Sequence, residues 1–323
     1  MLPVTAVPRV DHEGLSPLDR WFQVAPGGGA VALFSDSTGL TVFTANGAQI
    51  LRRKDGVTAF RFSAAGDRLA LASTKGIEVL TLDRHQPQLL KSLARVDWLQ
   101  WTDAGLVARA RSQLFLIDDA GNQRMLATLR PGTIVAAAKA RLVYFAGGSL
   151  LTLDLMTGGT PETTRLVDSE PVRNAELSPD GTHVIFATAR RVYLREGSGP
   201  VRVVADVEGV QSLFFSPDGA AYLWAGNMGG SVVLPDGRTV ALPPGTRSAR
   251  FSRNSGYELV LTTAEGVYTW DARTGVRTIV GGISADDGVN FAGDVSANAG
   301  VIAFYYKKSG DQKETETPRF APR

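Results

Sequence analysis

A short phrase, a small anchor residue and two more positions closed by glycine ahead of an apolar run, returns roughly every 39 residues along the chain, the mark of a repeat architecture. It is complete at Ser178-Pro179-Asp180-Gly181 before Val184-Ile185-Phe186, and at Ser216-Pro217-Asp218-Gly219 before Tyr222-Leu223-Trp224. Degenerate copies start at Ala25, Ser63, Thr102, Ser252 and Ser296, with a glycine-less one near Ala137. The spacing constrains the fold closely and leaves the function open.

Within each repeat, four short apolar runs alternate with turn residues, the pattern of a four-stranded antiparallel sheet. The second repeat shows it plainly. Thr58-Ala59-Phe60-Arg61-Phe62 reads as an inner strand, Arg68-Leu69-Ala70-Leu71-Ala72 as the next, residues 76–82 as the third and 88–93 as the outer one. Helix has no room between them. The same grammar divides the chain at about 21–56, 57–95, 96–132, 133–170, 171–209, 210–246 and 247–288. What remains is a further strand pair, 289–308, and a short N-terminal stretch, 4–10, that reads as a strand. Antiparallel sheets must hide their edges, and stitching both chain ends into one blade does so. The sequence therefore points to an all-β propeller of four-stranded blades. Eight blades are favoured, the last built from both termini, with seven blades and a C-terminal hairpin as the alternative. One propeller domain is expected over 1–308, followed by a flexible polar tail over 309–323, and 11–19 reads as a connecting loop.

The Ser-Pro-Asp-Gly turn, the apolar strand after it, and the closing Asp154-Leu155-Met156-Thr157-Gly158 and Asp271-Ala272-Arg273-Thr274-Gly275 resemble the WD40-like repeats of bacterial TolB-type propellers. The resemblance spans nearly the whole chain. It implies the fold, and a family of scaffolds, secretion-system components and non-catalytic propellers of peptidases. True WD40 repeats are matched less well: Trp270-Asp271 is the sole Trp-Asp pair in the sequence, and no Gly-His pair precedes it.

Composition limits the function. The 323 residues are 44% hydrophobic and 20% charged, ordinary for a globular protein, and the net charge of +2 provides no global field to gather nucleic acid or an anionic membrane. With no cysteine, disulfides, thiolate metal sites and cysteine nucleophiles are excluded. Residues 1–8 lack the basic and apolar regions of a secretory leader, and no window reaches the ~18 apolar residues of a membrane span. A cytoplasmic location is expected, or a periplasmic one if an upstream leader was removed.

Chemistry-bearing motifs are scarce. No Gly-x-Ser-x-Gly elbow occurs, and Gly147-Gly148-Ser149 and Gly229-Gly230-Ser231 read as turns. His12, His85 and His183 are isolated, Asp118-Asp119-Ala120-Gly121-Asn122 and Asp286-Asp287-Gly288 lack the spacing of a calcium loop, and Gly27-Gly28-Gly29 joins two strands instead of opening a phosphate-binding helix. No catalytic residue, metal ion or cofactor is expected. Arginines gather at Arg52-Arg53-Lys54, at Arg109 with Arg111, and at Arg190-Arg191 with Arg195; the near-neutral chain reads them as solvated, with no nucleic-acid partner.

One column stands out. The residues just before six of the anchors, Val24, Phe62, Trp101, Leu177, Phe215 and Phe251, are all apolar. Those one step earlier are Gln23, Arg61, Gln100, Glu176, Phe214 and Arg250, and alternation along a strand turns them the opposite way. In a propeller that direction is the central channel. Gln23, Arg61, Gln100, Glu176 and Arg250 are therefore the candidate channel-mouth residues, either binding a small anion or acidic peptide through Arg61 and Arg250, or pairing polar groups between blades. The expected function is a non-enzymatic scaffold that binds one or more protein partners, a subunit or accessory of a larger bacterial assembly. The alternative is a propeller enzyme of lactonase, glycosidase or lyase type, or a small-ligand binder, with its site in the channel.

Overall fold

A computed structural model describes residues 12–13, 20–35, 39–54, 56–166, 170–226, 229–246, 248–252, 256–263, 266–279, 293–295, 301–307 and 315–322. All regular structure among them is β-strand. Seven four-stranded antiparallel sheets each use four consecutive strands, spanning 20–53, 59–91, 96–128, 135–165, 174–206, 210–241 and 248–279. An eighth four-stranded sheet combines both ends of the chain: His12–Glu13 pairs with Thr315–Pro322, which pairs with Val301–Lys307, which pairs with the inner strand Gly293–Val295. Inner strands of successive sheets lie side by side, and Gly293–Val295 sits between those of the seventh and first sheets. The architecture is a β-propeller of four-stranded antiparallel blades.

Burial explains the strand grammar. The second strands are apolar on both faces, as in Arg68–Ser73 and Glu258–Thr263, because each is covered by a neighbouring sheet on either side. Outer strands such as Gln123–Thr128 and Val201–Asp206 are largely exposed. There is accordingly no single core. Apolar layers fill the gaps between consecutive sheets: Phe60, Leu69 and Leu71 pack with Leu40 and Val42 of the first, and Leu223 and Leu234 of the sixth pack with Leu259 and Trp270 of the seventh. In the first, second, third and fifth sheets the register shifts between the third and outer strands, a bulge that twists the exposed edge away from flat pairing.

The repeated turn has a repeated geometry. Ser63, Ser178 and Ser216 donate their backbone N–H across the turn to Arg68, His183 and Ala221, at 2.8, 2.9 and 2.8 Å. The serine hydroxyl accepts the N–H of that same residue and donates to a carboxylate of the turn, Asp67, Asp180 or Asp218. The closing glycine rests on the turn of the preceding sheet. Gly219 lies over Ser178 and Pro179, and Gly66, with φ +77°, lies so close to the Gly27 backbone that a Cβ would sit 2.6 Å from its nitrogen. The turns thus form an interlocked rim at one end of the channel.

The termini differ from expectation. Polar composition reads 309–323 as a solvated tail, yet Thr315–Pro322 pairs along its length with Val301–Lys307. Backbone pairing satisfies the edge of that strand, which composition does not register. His12–Glu13, expected within a loop, is the outermost strand of the same sheet, while the stretch 4–10, read as a strand, lies outside the described residues.

Candidate functional site

Register identifies one equivalent position in every sheet. Gln23 pairs with Ala32, Arg61 with Ala70, Gln100 with Val107, Glu176 with Ile185, Phe214 with Leu223 and Arg250 with Val260. In the fourth sheet the position belongs to Ala136, opposite Val143, and in the eighth to Asp294, opposite Ala303. The neighbours Val24, Phe62, Trp101, Ala137, Leu177 and Phe251 are buried, while Gln23, Arg61, Gln100, Glu176, Phe214 and Arg250 are only half-buried. Glu176 lies within the electrostatic reach of both Arg61 and Arg250. These residues belong to the fifth, second and seventh sheets, none of which are neighbours, so their side chains converge on the axis.

The seven described side chains at this position, Ala136 among them, play different parts. Gln23 bridges sheets: its Nε2 donates to the Phe60 carbonyl and its Oε1 accepts the Phe62 N–H, both at 3.4 Å. Gln100 donates to the Trp101 carbonyl at 3.3 Å, and the Trp101 indole donates to the Arg61 carbonyl at 3.0 Å. Arg250 donates to the Ala249 carbonyl at 3.0 Å, and its guanidinium lies 3.7 Å from the centre of the Phe214 ring. Burial raises the Glu176 carboxyl above its ordinary range, opposed by the positive charges of Arg61 and Arg250. The structure therefore brings Arg61, Glu176 and Arg250 together, while Gln23 and Gln100 are engaged by nearby backbone.

In the eighth sheet the equivalent register position falls two residues before the Ser296 anchor, at Asp294. Among the described residues, no group of three or more His, Asp or Glu side chains converges as a metal site would require. The Nδ1 of His183 lies 2.6 Å from Thr182 Oγ1, and Asp118 closes its turn by accepting the N–H groups of Ala120 and Asn122.

Arg195 and Arg53 depart from their reading as solvated groups, while Arg191 keeps to it in an exposed ion pair. Arg195 is fully buried, bonded to Thr152 Oγ1 at 3.1 Å and paired with Glu162 of the preceding sheet. Arg53 reaches Glu78 at 2.7 Å, and Arg191 reaches Asp206 at 2.7 Å. Sequence adjacency had hidden these pairings, because the partners come from other strands. On the outside, Leu89, Met125 and Val203 stand 59%, 57% and 45% exposed on the outer strands of the second, third and fifth sheets.

No protein-family model matches the chain, and no curated protein matches it. Solved structures do. The C-terminal WD40 domain of Sif2 superposes with a TM-score of 0.69 at 11% identity, over 99% of this chain and 98% of that one. A complex of KlAtg21 with the coiled-coil of AgAtg16 gives 0.60 at 10% identity, over 78% and 93%. Kluyveromyces lactis Hsv2 gives 0.55 at 13%, over 93% and 96%. At such identities the likeness establishes a WD40-type propeller fold. No helix among the described residues is long and apolar enough to cross a membrane.

Proposed function

We propose that this chain is a non-enzymatic propeller that serves as a protein-interaction scaffold, a subunit or accessory of a larger bacterial assembly like the TolB-type propellers its repeats resemble. The observation that carries the reading is the exposure of Leu89, Met125 and Val203 on outer strands whose far edges have no partner strand within their sheets. Large apolar side chains exposed in this way are what an amphipathic helix lays its apolar face against, the bulges having turned the edges themselves from strand addition. The neighbour whose structure holds a coiled-coil partner is consistent with this use of the fold. The eight-blade closure favoured from sequence belongs to the same proposal, supported by the sheet built from both chain ends, whose inner strand lies between those of the seventh and first sheets. A closed ring makes a stiff platform.

The test is affinity capture by the tagged full-length protein, beside Leu89→Lys with Met125→Lys, and beside Arg61→Ala with Arg250→Ala. The scaffold reading expects a stoichiometric protein partner that the outer-strand variant loses and the channel variant keeps. A second reading, a small-ligand or enzymatic site in the channel, is favoured by the convergence of Glu176, Arg61 and Arg250. Loss of partner or ligand binding in the channel variant alone, with an unchanged melting transition, would replace the first reading by the second.

A further inference from the structure

A cavity of about 520 Å³ opens between the third sheet and the link that leads to the fourth, and its lining includes Arg109, Arg111, Arg130, Asp97, Leu129 and Ile134. Strand order puts it at the end of the propeller opposite the serine–glycine turns, since its walls are the turn between the second and third strands of one sheet and the 129–134 link to the next. Its size is that of a small-molecule site. Three guanidiniums face a single carboxylate there. Arg109 is fixed, with Nε donating to Asp97 at 2.7 Å and a terminal nitrogen donating to the Thr133 carbonyl at 3.1 Å. Arg111 and Arg130 are paired with no acid among the described residues, in contrast to Arg53, Arg191 and Arg195.

The backbone adds an independent observation. Arg111 occupies the left-handed region at φ 57°, in a turn where the fourth sheet uses Gly147 and Gly148 at φ 58° and 74°. Arginine in that conformation is strained where glycine is not; His85, Arg95 and Lys139 share it, and at Arg111 the strained turn forms part of the cavity wall. We infer that this cavity binds a small phosphate-bearing molecule, its phosphate gripped by Arg109, Arg111 and Arg130 and its carbon skeleton lying against Leu129 and Ile134. Guanidinium forks match phosphate oxygens, and the surplus of positive charge suits a dianion. A nucleic-acid strand fits less well, because the lining holds no aromatic side chain for a base to stack on.

The test is calorimetric titration of the full-length protein with glycerol 3-phosphate at low ionic strength, with glycerol as the uncharged control. The expected result is a dissociation constant of about 1 mM or tighter for the phosphate ester, no binding of glycerol, and at least roughly tenfold weaker binding by Arg111→Gly and by Arg130→Ser. Glycine accepts the left-handed turn, so Arg111→Gly should melt no lower than the native protein, which separates lost binding from lost folding. No binding of the ester, or equal binding by native and variant proteins, would overturn the inference. So would preferential uptake of a single-stranded oligonucleotide with a steep salt dependence. The outcome is independent of the scaffold reading, since the outer-strand variants leave this cavity intact.

Discussion

Two columns of residues lie two positions apart in the chain and behave in opposite ways. At the rim, Ser63, Ser178, Ser216 and Ser252 repeat one residue type, and each hydroxyl donates to a nearby carboxylate. Toward the axis, Arg61, Glu176, Phe214 and Arg250 share a register position and almost nothing else. The rim repeats because every sheet meets the next with the same geometry, and one chemical solution serves each junction. The channel position is under no such demand: its side chains meet at the axis, where one sheet's residue is complemented by another's. Chemistry that repeats builds the fold, and chemistry that varies at an equivalent place is where specific function can be written.

The largest effect should come from the rim. Gly66→Ala combines a left-handed backbone with a Cβ forced against Gly27, and a loss of about 3 kcal/mol in denaturant unfolding is expected. Gly245→Ala is the control, since Gly245 has φ +76° with nothing within 4 Å of its Cβ, and only the backbone strain of about 1 kcal/mol should appear. Equal losses at the two would show that the turns do not interlock.

Next is the contrast between polar groups. Ser216→Ala leaves the Ala221 N–H and the Asp218 carboxylate without their hydroxyl partner in a buried turn, and about 1–2 kcal/mol should be lost. Gln100→Ala removes one 3.3 Å bond from a half-buried side chain, and a loss of a few tenths of a kcal/mol is expected. A larger loss at Gln100 than at Ser216 would reverse the assignment of fold and channel roles.

The smallest effects concern pH, and their signs oppose. Asp180, although partly desolvated, is held down to about 2 by hydrogen bonds from Ser178 and Thr182. It therefore contributes stability above the ordinary aspartate range, and that stability is lost as pH falls toward 2. Glu176 is raised, so its contribution is present below the ordinary glutamate range and is lost as pH rises through its elevated value. Thermal melts against pH should show Asp180→Asn flattening the acid limb alone, and Glu176→Gln removing a decline that sets in above the ordinary glutamate range. If Glu176→Gln instead lowers the melting temperature at neutral pH, the ionised carboxylate is the stabilising form and Arg61 and Arg250 outweigh its burial.

Much of this was legible in order. The period, the four runs per repeat and the turn residues identify the propeller because hydrophobic alternation and turn chemistry are local. The column Gln23, Arg61, Gln100, Glu176 and Arg250 follows from alternation on one strand, and the same spacing one repeat on reaches the register position of Asp294. The pairing of Thr315–Pro322 was not legible, because polar composition describes side chains while an open strand edge recruits backbone. Arg195 read as a surface charge because its partner Glu162 lies 33 positions away on another sheet.

By itself the sequence determined the architecture and the direction in which each strand residue points, since both depend on neighbours within a few positions. Only the tertiary structure decided which charges meet. Arg61, Glu176 and Arg250 come from sheets far apart in the chain, and the Arg109–Arg111–Arg130 cavity joins a turn of one sheet to the link into the next. Electrostatic and packing energies fall off with distance in space, and the way the sheets and their links are arranged sets those distances.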